Sequence, residues 1–105
     1  MPDPIKIRAT VKGDEGDVRV LLPHPMESGQ RRDAAGQLVA AHFIVSVTLS
    51  LNGKPVIEGA LGTAVSVNPL FAFQLSGVKA GDRLSVAWQD NKGQRGQAES
   101  SFVAA

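Results

Sequence analysis

The side chains best suited to chemistry in this sequence are two histidines and a methionine. His24 and Met26 stand close together in the chain, and His42 follows later. Imidazole nitrogen and thioether sulfur both suit copper, so His24, Met26 and His42 form one hypothesis for a metal site. Small cysteine-free β-sandwiches that bind copper use several such ligands, whereas this chain has only 2 His and 2 Met. We favour the alternative in which Met26 packs beneath its own loop and His24 binds a backbone carbonyl.

The sequence contains no residue set typical of a catalytic site. A hydrolase triad needs a histidine within reach of a serine and a carboxylate, and neither histidine is accompanied by a Gly-x-Ser-x-Gly elbow. Residues 59–62 (GALG) lead into no helical pattern, as a phosphate-binding loop would require. Residues 90–93 (DNKG) lack the alternating carboxylates of a calcium loop and predict a hairpin turn. The chain has no Cys, which excludes thiolate metal sites and a cysteine nucleophile. We expect no enzyme activity and no cofactor.

The charged residues do not predict a nucleic-acid or membrane partner. Lys and Arg number 11 against 10 Asp and Glu, so the net charge is only +1. Arg31 and Arg32 are suited to an anion, but the neighbouring Asp33 and Glu27 favour a solvated salt-bridge cluster. No apolar run is long enough for a transmembrane helix. The first residues lack the basic and apolar regions of a signal peptide, so we expect none on this chain.

The elements that must position these side chains are strands. Apolar and polar residues alternate along most of the chain, which is typical of half-buried strands, and no segment sustains helical spacing. The predicted strands cover residues 5–11, 18–22, 40–51, 54–59, 70–76, 84–88 and 96–103. Asn52 and Gly53 predict a type I′ turn between the third and fourth of them. We therefore predict one all-β domain spanning residues 1–105, an immunoglobulin-like antiparallel β-sandwich of about seven strands, with a small closed barrel as the alternative.

Two further features point to a possible binding role. Residues 23–36 show no periodicity and predict a long loop, and such loops in small domains are often functional. A second group consists of apolar residues on the opposite parity from the core residues of their own strands: Leu21, Ile44, Leu70 and Val103. If these side chains cluster on one sheet face, they form an apolar surface suited to a protein partner.

Several runs of this sequence resemble the SoxZ family of sulfur-oxidation proteins. They are HPMESGQRRDAAGQL at 24–38, AHFI at 41–44, LNGKPV at 51–56, NPLFAF at 68–73 and KAGD at 79–82. The opening IKIRA at 5–9 fits as well, and so do Trp88, Asp90, Asn91 and Gly93. The order and spacing are compatible over nearly the whole chain. Ala40 departs from the pattern, because relatives usually carry a proline before the AHFI run.

The resemblance implies a non-catalytic subunit with an immunoglobulin-like fold. Members of this family pair with SoxY, as a heterodimer or larger hetero-oligomer, to form the carrier of the periplasmic thiosulfate-oxidation (Sox) pathway. A cysteine near the end of a flexible, glycine-rich C-terminal arm of SoxY holds the sulfur intermediate. The resemblance also implies transient docking with Sox enzymes, and export together with SoxY, which carries a twin-arginine signal.

From the residue pattern and the resemblance together, we expect the following partner contacts: Leu21, His24, Met26, Arg31, Arg32, Ile44 and Leu70. We also expect the isolated subunit to form homo-oligomers through the surface that SoxY would cover. Two rival functions belong to other classes. One is a periplasmic copper-binding sandwich protein, and the other is an adhesion-type module, which predicts tandem copies in a longer chain.

Overall fold

The computed structural model describes residues 5–62, 65 and 67–105 of the chain. Its strands are β1 (Lys6–Lys12), β2 (Glu15–Leu21), β3 (Ile44–Leu51), β4 (Lys54–Ala60), β5 (Leu70–Ser76), β6 (Arg83–Asp90), β7 (Arg95–Ser101) and β8 (Val103–Ala104). They form two four-stranded sheets, with the strand orders β5-β2-β1-β8 and β4-β3-β6-β7. The sheets share one hydrophobic core, so the predicted all-β sandwich is confirmed. Among the described residues there is no helix with the length and hydropathy to span a membrane.

The core is built by the alternation that the sequence shows. Because successive side chains of a strand point to opposite faces, every second residue of the central strands turns inward. In β6 the inward residues include Leu84, Val86 and Trp88, as predicted, and each is at most 4% exposed. From the opposite sheet, β2 contributes Val18 and Val20, which are equally inaccessible to solvent. These side chains form the part of the core that lies beneath the loops at the end of β6.

The predicted turn between β3 and β4 is confirmed. Asn52 has a φ of 52° and Gly53 a φ of 85°, which are the positive values that a type I′ turn requires at both central positions. Leu51 and Lys54 pair directly on either side of the turn.

The position expected for Ile44 was wrong. The pattern placed it on the outer face together with Ser46, but the structure buries it completely. The pairing of β3 with β6 shifts register between Ile44 and Ser46, so one extra residue, Val45, interrupts the alternation. As a result Ile44 and Val47 both point into the core. A strict two-residue period cannot reveal such a bulge.

The last predicted strand, 96–103, is divided between the two sheets. Most of it lies in β7, which pairs antiparallel with β6, and its last residue, Val103, begins β8, which pairs parallel with β1 in the other sheet. Phe102 lies between them and is 1% exposed. A Cβ on Gly16 would lie only 2.8 Å from the Phe102 ring, so the glycine makes room for this side chain. The crossover closes one side of the sandwich.

Candidate functional site

Residues 22–43, which join β2 to β3, contain both histidines. This segment has no extended strand, but it folds back on itself as an irregular hairpin with isolated bridges. At its base, the Glu27 N–H donates to the His42 carbonyl at 2.7 Å, and the His42 N–H donates to the Glu27 carbonyl at 2.9 Å. The predicted loop therefore has internal order, and its fold brings His42 back beside His24, with ring centroids 4.6 Å apart.

His24 is a buried residue of the interior. Its ring is packed edge-on against Trp88, with the centroids 5.2 Å apart, and the residue is only 4% exposed. Its backbone is fixed as well, because the His24 N–H donates to Asn68 Oδ1 at 3.0 Å and the His24 carbonyl accepts the Asn68 N–H at 2.9 Å. The histidine thus stands at one end of the core with little freedom to move.

The residue that organises this end of the sandwich is Asp90, the last residue of β6. Its Oδ2 accepts hydrogen bonds from His24 Nε2 at 3.0 Å and from His42 Nε2 at 2.7 Å. Its Oδ1 accepts the backbone N–H groups of Lys92 at 3.0 Å and Gln94 at 2.8 Å. The predicted turn at 90–93 is present, but the turn pattern gave no sign that the side chain of its first residue holds both histidines. We call His24, His42 and Asp90 the histidine–aspartate cluster.

The hydrogen bonds settle which nitrogen of His24 carries the proton. The Met26 backbone N–H donates to His24 Nδ1 at 3.1 Å, so Nδ1 must be an acceptor. The hydrogen is then on Nε2, which donates to Asp90. The expectation that His24 would bind a backbone carbonyl was wrong, because the ring accepts from the backbone and donates to a carboxylate.

Asp90 is held in its ionised form. Burial by itself raises the pKa of this carboxyl, but the hydrogen bonds from His24 and His42 lower it, followed by those from the Gln94 and Lys92 backbone N–H groups. The net direction is a pKa below the ordinary value, because donors on both oxygens stabilise the charged form. The cluster is therefore a buried carboxylate surrounded by N–H groups.

The donor atoms of the histidine–aspartate cluster lie within 4.8 Å of one another, close enough to be tested as a metal site. Both ring nitrogens of His24 already have partners, so binding through Nε2 would require loss of its hydrogen and of its bond to Asp90. The Met26 sulfur accepts the Ile44 N–H at 3.4 Å, and the side chain is buried beneath the segment, as expected. The arrangement is better suited to anchoring the 22–43 segment than to binding copper.

Arg31 and Arg32 lie on the surface of the segment. Arg31 donates to both carboxylate oxygens of Glu27 at 2.8–3.0 Å, so this part of the expected salt-bridge cluster is confirmed. The hydrogen bond lowers the pKa of Glu27 and raises that of Arg31. Asp33 instead accepts backbone N–H groups of its own turn, and Arg32 donates to the Gly36 carbonyl at 2.8 Å.

The expected partner-contact residues fall into two groups. His24, Met26 and Ile44 are buried inside this subunit and offer no surface to a partner. Leu70 is 64% exposed at the sheet edge and pairs with the half-buried Leu21, so these two side chains lie together. Contact of Leu21, Leu70, Arg31 and Arg32 with a partner stays a prediction. Val103 is on β8, at the opposite edge of the same sheet, so the apolar residues do not form the single cluster considered above.

Comparison with known proteins identifies the family of the chain and solved structures with a similar fold. The family described as "Sulphur oxidation protein SoxZ" matches residues 5–101. No curated protein sequence matches the chain. Among solved structures, the superoxide reductase (neelaredoxin) from Ignicoccus hospitalis is similar, with a TM-score of 0.66 and 23% identity over 99% of this chain and 82% of that chain. Two variants of that protein match with TM-scores of 0.65 and 0.64, also at 23% identity, over 99% and 97% of this chain and 82% and 80% of theirs. At this identity the likeness shows a shared fold alone.

Proposed function

Since the chain belongs to the SoxZ family of sulphur oxidation proteins, which gives it a role in the Sox pathway, we propose that it is the non-catalytic subunit of a sulfur carrier. It pairs with SoxY and supports it while the cysteine arm of SoxY carries the sulfur intermediate between enzymes. The observation that carries the proposal is the family match over residues 5–101, nearly the whole chain.

The geometry of the histidine–aspartate cluster supports a scaffold rather than a catalyst. Both ring nitrogens of His24 and both carboxylate oxygens of Asp90 are engaged in hydrogen bonds, His42 bonds to Asp90 through Nε2, and the cluster fixes the base of the 22–43 segment to the end of β6. Among the described residues, every buried side-chain nitrogen and oxygen has a hydrogen-bond partner. A catalytic group, in contrast, needs a free position from which it can reach a substrate.

The composition is consistent with a division of labour between two subunits. This chain has no Cys, so the reactive thiol is supplied by SoxY alone. A second thiol near the arm would compete for the carried sulfur by forming a mixed disulfide. We propose that the pair works in the periplasm and is exported as a folded complex by the signal of SoxY.

The proposal is tested by co-expression. A tag on this chain should retain untagged SoxY through affinity and size-exclusion steps, and the two chains should elute together in equal amounts. The control is untagged SoxY expressed without this chain and passed over the same resin. Recovery of the tagged chain alone, while SoxY is present and folded in the lysate, would contradict the proposal.

A further inference from the structure

β5 differs from the other strands that form sheet edges in the described part of the chain. The edges are β5 and β8 in one sheet and β4 and β7 in the other. An exposed edge is normally protected from pairing by charge, by proline or by shortness. β4 contains Lys54 and Pro55, β7 contains Arg95 and Glu99, and β8 is only 2 residues long. β5 is 7 residues long, with the sequence LFAFQLS, and has neither charge nor proline.

The outer edge of β5 also presents free backbone groups in a regular array. The Leu22 N–H donates to the Pro69 carbonyl at 3.0 Å, and bonded pairs recur at every second position of an antiparallel ladder. The backbone groups of Phe71 and Phe73 therefore bond to β2. The backbone N–H and C=O groups of Leu70, Ala72 and Gln74 point outward, away from β2. No strand among residues 5–62, 65 and 67–105 pairs with this outer edge.

An apolar cleft lies beside the same edge, between the two sheets. Its volume is about 180 Å³. Ile57 and Gly59 of β4 form part of one wall, and Phe71 and Phe73 of β5, with their rings stacked at 6.2 Å, form part of the other. As far as the described residues go, the sheets are open on the side where β4 and β5 run, opposite the side that the Phe102 crossover closes. We call this cavity the β4–β5 cleft.

We infer that β5 receives an extended strand of the partner subunit, which adds a fifth strand to the sheet and inserts an apolar side chain into the β4–β5 cleft. This inference rests on the proposed function, since it places SoxY on a particular edge. An unprotected edge beside an apolar pocket is the arrangement used in strand addition, in which backbone hydrogen bonds give affinity and the pocket gives specificity. Leu70 and Leu21 extend the apolar contact on the outer face of the sheet.

A second copy of this chain fits the edge less well than a single partner strand. β4 runs along the same side of the sandwich as β5, so edge-to-edge docking of two copies brings their β4 strands together. Lys54, Pro55 and Glu58 of each copy oppose that approach. A single uncharged strand with one large apolar residue avoids Lys54, Pro55 and Glu58 of β4 and uses only the β5 edge and the cleft.

The test uses complexes of full-length SoxY with this chain and measures their dissociation constant. Ala72→Pro removes one outward N–H at an edge, where proline is tolerated, and leaves the bonds of Phe71 and Phe73 to β2 in place. Gly59→Val fills the cleft, and a Cβ at Gly59 meets no atom within 4 Å, so the fold accommodates it. We expect each variant to weaken SoxY binding about tenfold or more, as the loss of a backbone hydrogen bond or of the pocket implies.

Each variant has a matched control, one on the edge strand β7 and one on the exposed face of β4. Asp90 donates its N–H to the Gln94 carbonyl, so the same alternation directs the Gln97 N–H outward from β7, and Gln97→Pro is the matched edge variant. Ala60→Val adds bulk at the position next to Gly59, on the exposed face of β4. Both controls should bind SoxY within about twofold of the wild type, and thermal unfolding verifies that all four variants fold.

The outcomes separate this inference from the proposed function. Wild-type chain that does not bind SoxY contradicts the proposed function, and the inference falls with it. Wild-type chain that binds SoxY while Ala72→Pro and Gly59→Val bind equally well overturns the inference alone. Equal weakening by Gln97→Pro overturns it too. A wild-type homodimer in sedimentation that becomes monomeric in Ala72→Pro, while the binding of SoxY is unchanged, would assign the edge to a second copy and also overturn it. If Ala72→Pro does not fold, Gly59→Val with its Ala60→Val control decides.

Discussion

Replacement of Asp90 by asparagine tests the role of the histidine–aspartate cluster most sharply. Asp90→Asn preserves the size of the side chain and leaves a carbonyl oxygen that can still accept the Lys92 and Gln94 N–H groups. The amide nitrogen then occupies the position of Oδ2, where it faces the Nε2–H of His24 and that of His42. His24 cannot reverse its roles, because the Met26 N–H occupies Nδ1.

The expected cost follows from these contacts. A buried hydrogen bond to a charged group contributes about 1.5–3 kcal/mol, and a buried donor left without a partner costs about 1–3 kcal/mol. His42 is partly exposed and can turn to water or to Gln94, so most of the loss comes from His24. We expect the free energy of unfolding to fall by about 3 kcal/mol, which for a domain of this size lowers Tm by roughly 12–24 °C.

The assay uses the fluorescence of Trp88, the single tryptophan, whose indole packs edge-on against His24. Urea unfolding of the wild type and of Asp90→Asn gives both free energies from the same reporter. Glu99→Gln is the control, because it also removes one negative charge but breaks only an exposed salt bridge with Arg83, and it should unfold close to the wild type. A loss of less than about 1 kcal/mol in Asp90→Asn would contradict this role of Asp90, because removal of a charge-assisted hydrogen-bond network should destabilise the fold by more than that.

Three further predictions concern pH, packing and metal binding. The pKa of Asp90 is lowered in the folded protein, so the stabilisation that the ionised carboxylate provides is complete above its ordinary pKa of 3.8 and is lost as pH falls through the lower pKa of the folded state. The free energy of unfolding, measured between about pH 6 and 2, should show this loss in the wild type and a flatter pH profile in Asp90→Asn. Gly96→Ala should cost about 1–3 kcal/mol in chemical unfolding, because its Cβ would collide with the Trp88 indole, whereas Gly59→Ala, with open space around it, should be nearly neutral. Calorimetry with Cu(I) and Cu(II) should show equal binding by wild type and His24→Ala, and tighter binding by the wild type would instead support the copper-binding alternative.

The strands were predictable because their signal is local. Alternation of apolar and polar residues determines which face of a strand is buried, and the Asn52–Gly53 pair determines one turn, so the β-sandwich follows from the sequence. The Val45 bulge and the crossover at Phe102 were not predictable, since each depends on pairing with distant strands. A period of two residues carries no information about where a ladder shifts register.

The burial of Asp90 in the histidine–aspartate cluster was predictable from the same alternation. Asp90 has the parity of Leu84, Val86 and Trp88, so the alternation itself places a carboxylate on the core face of β6. A buried carboxylate requires hydrogen-bond donors, so side chains that can donate must lie close to Asp90 in the folded chain. His24 and His42 are suitable donors, but their distance to Asp90 depends on how residues 22–43 fold back, which no local pattern specifies.

We propose that the SoxY carrier depends on this chain as its second subunit. The most direct measurement is the rate of thiosulfate oxidation by purified Sox enzymes supplied with SoxY, with this chain titrated from zero to a molar excess. On this proposal the rate rises with added chain and saturates at one chain per SoxY, while the chain without SoxY supports no oxidation. A full rate with SoxY alone, unchanged by added chain, would contradict it.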